Sequence, residues 1–217
     1  MRFQDAARDG RAVVYAAVQA DPLVARLAGL LADASTAERI LARAAMNGES
    51  LDPERWRAMV PALFDPATAS AEAILGASLE VAAIGDQVRS QLRGAIVEEL
   101  TARLLARRSP APVVRRERRV LFDGVAAEIH PYDVTVEGPN RPAAFDCKWG
   151  ARGINGDVLY QLDDARTHAA DEGEKLDVAL VVFDAERSCL VRLEAQTAPH
   201  DGTRLVALEQ LDSLAGG

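Results

Sequence analysis

Apolar positions recur at helical spacing through the first ninety residues. Val24, Leu27, Leu30 and Leu31 follow a helix start at Asp21-Pro22. Ser35-Thr36-Ala37-Glu38 reads as a capping box before Ile40-Leu41. Asp52-Pro53 opens a third helix with Trp56, Met59, Val60 and Leu63 on one stripe, and Asp65-Pro66 separates it from a fourth over 68–83. Val88, Leu92, Ile96, Leu100 and Leu104 predict a long helix over 86–107, ended by Ser109-Pro110-Ala111-Pro112. The period then changes. Strands are expected over 113–122, 125–137 and 143–149, with turns at Asp123-Gly124 and 138–142. Asn155 or Asp157 caps a helix over 158–172. Residues 176–183, apolar on both faces, read as a buried strand; 189–193 read as the last strand, and a short helix near 205–214 closes the chain. Helix, three strands, helix and two strands, behind a helical region, predict an α/β fold: a sheet with helices on its faces.

Composition narrows the class. The chain has 217 residues, 49% hydrophobic and 27% charged, which supplies a sizeable core and excludes wholesale disorder. No apolar run reaches the ~18 residues of a membrane span, and the first five residues lack a signal-peptide stretch, so no membrane partner is expected. Cys147 and Cys189 both lie in apolar runs, which argues against a disulfide scaffold or a cysteine zinc site and fits a reducing cytoplasm. The net charge of −8 excludes a general basic coat. The charge is uneven: residues 91–120 carry eight Arg against three Glu, whereas 121–217 carry eighteen acidic and eight basic residues. Only two lysines, Lys148 and Lys175, stand among 23 arginines, so each lysine draws attention.

One of them lies in the most informative segment, Ala144-Phe145-Asp146-Cys147-Lys148-Trp149. Strand alternation puts Phe145, Cys147 and Trp149 on one face and Asp146 and Lys148 together on the other. The preceding strand offers Asp133, and an antiparallel pairing would bring Asp133 beside Asp146. Two adjacent carboxylates repel, and a divalent cation removes that penalty. Mg²⁺ prefers oxygen ligands and takes one or two protein carboxylates plus substrate phosphate oxygens. Such a metal activates water and stabilises charge on a phosphodiester, with Lys148 beside it to orient or help deprotonate the water or to neutralise phosphate. The bland alternative is an exposed ion pair worth at most ~1 kcal/mol.

Asp133, followed thirteen residues later by Asp146-Cys147-Lys148, resembles the signature of the PD-(D/E)XK nucleases, which share the restriction-endonuclease-like fold. Gly94-Ala95-Ile96-Val97-Glu98 resembles the helix-borne glutamate of that family, with Glu99 as the alternative, and Tyr160-Gln161-Leu162 resembles its supporting glutamine. Tyr132 rather than proline precedes the aspartate, with Pro131 one step earlier. The resemblance covers roughly 88–195. It implies an αβββαβ core with a mixed central sheet in residues 88–217, preceded by a helical region, 1–87, for substrate selection, dimerisation or partner docking. It also implies Mg²⁺, with Mn²⁺ substituting, held by Asp133 and Asp146 and completed by Glu98. Lys148 would then handle the attacking water, and Gln161 would orient the lysine or the water.

The function so implied is a DNA endonuclease in a restriction, defence or repair setting. Its partners would be nucleic acid, DNA first, and a second copy or another protein through the helices. A nuclease for RNA or single strands uses the same site, and a catalytically inactive binding or scaffold module uses the same fold. Arg115, Arg116, Arg118 and Arg119 form the densest basic cluster, either a phosphate-binding strip or a charged edge strand that discourages aggregation. Arg166 is a further candidate for phosphate, because a guanidinium forks onto phosphate oxygens. His130 and His168 are expected to serve packing or surface roles.

Overall fold

The computed structural model describes residues 1–217 except 7–9, 65–68, 126–129, 139–140 and 217, and describes the backbone but not the side chains of 10–14. The first part of the strand expected over 125–137 therefore lies outside the described residues. The chain divides into two compact units: Asp9–Arg103, and Met1–Arg8 with Leu104–Gly217. The division falls near the end of the long helix at 103/104, whereas the 87/88 boundary read from the sequence lies in its first turn.

The first unit is helical: α1 (Gly10–Gln19), α2 (Pro22–Ala32), α3 (Thr36–Met46), α4 (Pro53–Met59), α5 (Ala69–Ala82) and most of α6 (Asp86–Ala106). Local chemistry sets the starts. Asp21 accepts a hydrogen bond from the Leu23 amide at 2.8 Å, with Pro22 at the first helical position. Ser35 and Glu38 form the reciprocal capping box that the sequence suggests. Asp52 accepts from the Glu54 amide at 3.0 Å. Leu41 and Ala45 of α3 pack with Trp56 of α4 and Leu75 of α5 in a dry cluster.

The second unit is an α/β structure around a six-stranded mixed sheet. Its strands are β1 (Arg2–Asp5), β2 (Val113–Leu121), β3 (Tyr132–Glu137), β4 (Ala143–Lys148), β5 (Asp177–Val182) and β6 (Arg204–Val206). They lie in chain order; β1 to β4 are antiparallel neighbours, and β4, β5 and β6 run parallel. Parallel neighbours need a crossover, which α7 (Gly156–Asp171) supplies between β4 and β5 and α8 (Glu186–Glu194) supplies between β5 and β6. Asn155 caps α7 by accepting from the Val158 amide at 3.1 Å. Leu159, Leu162, Ala165 and Ala169 of α7 share one core with Ala144, Val178, Leu180 and Val182 of the sheet.

Two sequence expectations change here. Residues 189–193 form a helix, not the last strand. Cys189 is buried and Leu193 packs on the same core one helical turn later, while Leu190 and Val191 are exposed. A run this short has no periodicity long enough to separate the two readings. The last strand is instead β6, followed by a 3-10 helix at Leu208–Leu214. Strand β1 is not expected from the sequence; it pairs with residues 118–121 of β2, which removes the charged-edge reading for Arg118 and Arg119 and leaves it for Arg115 and Arg116. Among the described residues, no helix is long and apolar enough to cross a membrane.

Candidate functional site

Register builds the site. Val134 pairs with Phe145, Thr135 with Ala144 and Val136 with Ala143. One further step along the same register sets Asp133 opposite Asp146 on one face of the sheet. The Asp133 Oδ2 atom accepts a hydrogen bond at 2.6 Å from the amide of Cys147, the residue between Asp146 and Lys148. Asp146 forms an ion pair through Oδ1 with the Lys148 ammonium. Burial pulls the Lys148 pKa down, but the Asp146 carboxylate, then that of Asp133, outweighs it and holds the ammonium above the usual lysine value. The three groups therefore share one small region where β3 begins and β4 ends.

The site is drier than strand alternation suggests. Strand β4 is covered on both faces, Asp146 is 6% exposed, and the Lys148 side chain is 26% exposed. Asp146 Oδ1 is buried and, among the described residues, accepts no hydrogen bond of good geometry; its charge is met by Lys148.

The surroundings supply residues that the sequence did not single out for this role. A Cβ at Gly153 would stand 2.9 Å from Cβ, Cγ and Cδ of Lys148, so glycine alone leaves room for that stem. The buried Asp184 accepts from the amides of Ala151 at 2.9 Å and Ala185 at 2.8 Å, and the Phe183 amide donates to the Lys148 carbonyl at 2.9 Å. These bonds fix the chain just after Lys148. The signal in the sequence is a loop with glycines at 150, 153 and 156 and an acid ending a buried strand.

The remaining candidates are placed as follows. Glu98 lies on α6 in the helical unit, buried, accepting from the Tyr15 hydroxyl and from Gln19 Nε2 at 2.8 Å. Gly94 makes this possible, since a Cβ there would stand 3.3 Å from the Tyr15 hydroxyl. Glu99 pairs instead with Arg103 at 2.7 Å. Gln161 donates from Nε2 to the His130 carbonyl at 3.0 Å, while the Tyr132 hydroxyl donates to the Gln161 carbonyl at 3.1 Å, so this glutamine ties α7 to the entry of β3. His168 packs its ring on Phe122 with centroids 5.4 Å apart. Arg118 is paired with Glu137 at 2.7 Å and with Asp5, whereas Arg115 and Arg116 are exposed and Arg119 is half-buried on β2. Arg166 pairs with Asp163 at 2.6 Å on α7, among residues at the starts of the parallel strands rather than beside Lys148.

No protein-family model matches the chain, and no curated protein matches it. Among solved structures it is similar to the crystal structure of protein VC1899 from Vibrio cholerae, with a TM-score of 0.48 and 16% identity over 99% of this chain and 56% of that one. The chain thus spans little more than half the length of that neighbour, and a likeness this weak says nothing of activity.

Proposed function

We propose that the chain is a metal-dependent nuclease with a restriction-endonuclease-like core that hydrolyses phosphodiester bonds in DNA. The observation that carries this reading is the meeting of Asp133, Asp146 and Lys148 at the end of two paired strands. The order α6, β2, β3, β4, α7, β5 supports it as well, being the helix, three strands, helix and strand of that core.

The donor set fits a hard cation. Asp133 and Asp146 offer two carboxylates, and Mg²⁺ uses one or two together with waters and substrate phosphate oxygens. The Asp146 Oδ1 atom is already paired with the Lys148 ammonium, so a bound cation would share that carboxylate with the lysine. When bound, Mg²⁺ or Mn²⁺ would polarise the phosphodiester and acidify a water. The chain's own groups do the rest. Asp133 is oriented by the Cys147 amide, Lys148 neutralises charge on the phosphate and positions the attacking water, and Gln161 steadies the approach to β3 through His130. A double-strand cut needs two such sites, from a homodimer, a partner protein or successive nicks.

Incubation of the purified chain with plasmid, linear duplex, single-stranded DNA and RNA, in Mg²⁺ or Mn²⁺ and in EDTA, tests the reading. Metal-dependent cleavage is expected, falling by about 10²–10³-fold in Asp146→Ala and in Lys148→Ala. Cleavage that survives both substitutions would refute the site, and the preferred substrate decides among duplex, single strand and RNA. A second reading, a binding module of the same fold without catalysis, is favoured by the Lys148–Asp146 pair, which already satisfies its own charge. It requires nucleic-acid binding that ignores EDTA and no cleavage of any substrate.

A further inference from the structure

A cavity of about 280 Å³ opens where β4, β5 and β6 begin, at the opposite end of β4 from Lys148. Five residues of strand, about 16 Å, separate Ala143 from Lys148. Arg108, Arg166, Arg204 and Asp177 line it. Each guanidinium is anchored along one edge: Arg108 Nε donates to the Leu214 carbonyl at 2.8 Å, Arg204 Nη2 to Ser213 Oγ at 2.5 Å, and Arg166 Nη2 to Asp163 Oδ1 at 2.6 Å. A guanidinium carries five N–H donors, so each keeps others to offer. One donor of these lining residues has no partner among the described residues: the buried Arg166 Nε.

The charges do not cancel. Asp163 and Asp177 stand against three arginines, and Arg141 adds its field. Burial first, then the charge of Arg204, pulls the Arg108 pKa below the usual arginine value, which marks a cation held in an unfavourable place. Gly202 closes the wall: a Cβ there would stand 2.2 Å from Arg166 Nε and 2.7 Å from its Cζ, so only glycine lets the loop before β6 lie on that guanidinium. A cavity this small, rimmed by forked donors and backed by Phe145 and Leu176, suits a single tetrahedral oxyanion better than a long ligand.

We propose that Arg108, Arg166 and Arg204 form a phosphate-binding site separate from Asp133, Asp146 and Lys148. The site does not depend on the nuclease reading, and its test omits metal so that the two stand or fall apart. The full chain is titrated calorimetrically with inorganic phosphate, then with a nucleoside monophosphate, in EDTA at low salt. Saturable binding of one phosphate per chain is expected, weakened about tenfold or more by Arg108→Gln and by Arg204→Gln. Arg204 is exposed, so its variant keeps the fold, which a melting curve verifies. Gly202→Ala should weaken binding too, by displacing Arg166, and Asp146→Asn should leave it unchanged. Competition by an oligonucleotide lacking terminal phosphate would identify the source as a backbone phosphate; binding without such competition would identify a free or terminal one. Absence of saturable binding, binding indifferent to both arginine variants, or binding abolished by Asp146→Asn would overturn the proposal.

Discussion

Gly153 and Glu38 show how single residues set local behaviour. The Lys148 stem lies within 2.9 Å of where a Gly153 side chain would begin, so Gly153→Ala should push the ammonium off Asp146. An overpacked site costs about 1–3 kcal/mol, visible as a lower melting midpoint together with reduced cleavage. Unchanged melting and cleavage would show that the stem is not confined. At Glu38, burial pushes the carboxyl up, but hydrogen bonds from Ser70 and Ser35 outweigh it and hold its pKa below the ordinary 4.5. The folded chain therefore binds fewer protons there than the unfolded chain. The stabilisation is complete above pH 4.5 and is lost as pH falls through the lower folded value. Glu38→Gln should lower the unfolding midpoint at neutral pH, with the gap narrowing in acid; a gap independent of pH would contradict this. The Ser35–Glu38 box and the Asp146–Lys148 pair were legible because both are encoded within four residues. The Gln161–His130 bond and the arginine pocket were not, because they join residues brought together only by the fold.

At the scale of elements, β2 and α8 carry the lessons. The arginines of β2 read as an edge because the strand that pairs with Arg118 and Arg119, Arg2–Asp5, is four residues long with one apolar side chain. Once β1 and β3 flank it, Arg118 is spent on Asp5 and Glu137, and Arg115 and Arg116 are the exposed cations. If the exposed pair contacts a nucleic-acid backbone, Arg115→Ala with Arg116→Ala should flatten the salt dependence of DNA binding by about two counterions. An unaltered slope would remove β2 from the interface. On α8, Val191 is 63% exposed while Cys189 is buried, a contrast that a helix gives and that period-2 alternation would not. Val191→Lys should therefore change stability by no more than about 0.5 kcal/mol in denaturant titration, whereas a loss of several kcal/mol would mean that the valine is covered.

For the whole molecule, the α/β layering followed from the change of period after residue 112 and from the order of elements, and the sheet bears it out. The boundary between units was less legible, because α6 continues without a break through 103/104 and helical periodicity has no mark for where contacts change hands. Local pairing within 121–217, as in Asp146 with Lys148 and Asp163 with Arg166, leaves the acidic excess of that segment unchanged. The decisive claim is that Asp133 and Asp146 hold a hard cation beside Lys148. A crystal grown or soaked with Mn²⁺ and measured for anomalous scattering tests it most directly. A peak is expected about 2.1 Å from an oxygen of each carboxylate, absent in Asp146→Ala. Side chains of Asp133, Asp146 and Lys148 pointing apart, or a Mn²⁺-soaked crystal with no peak between the two aspartates, would contradict it.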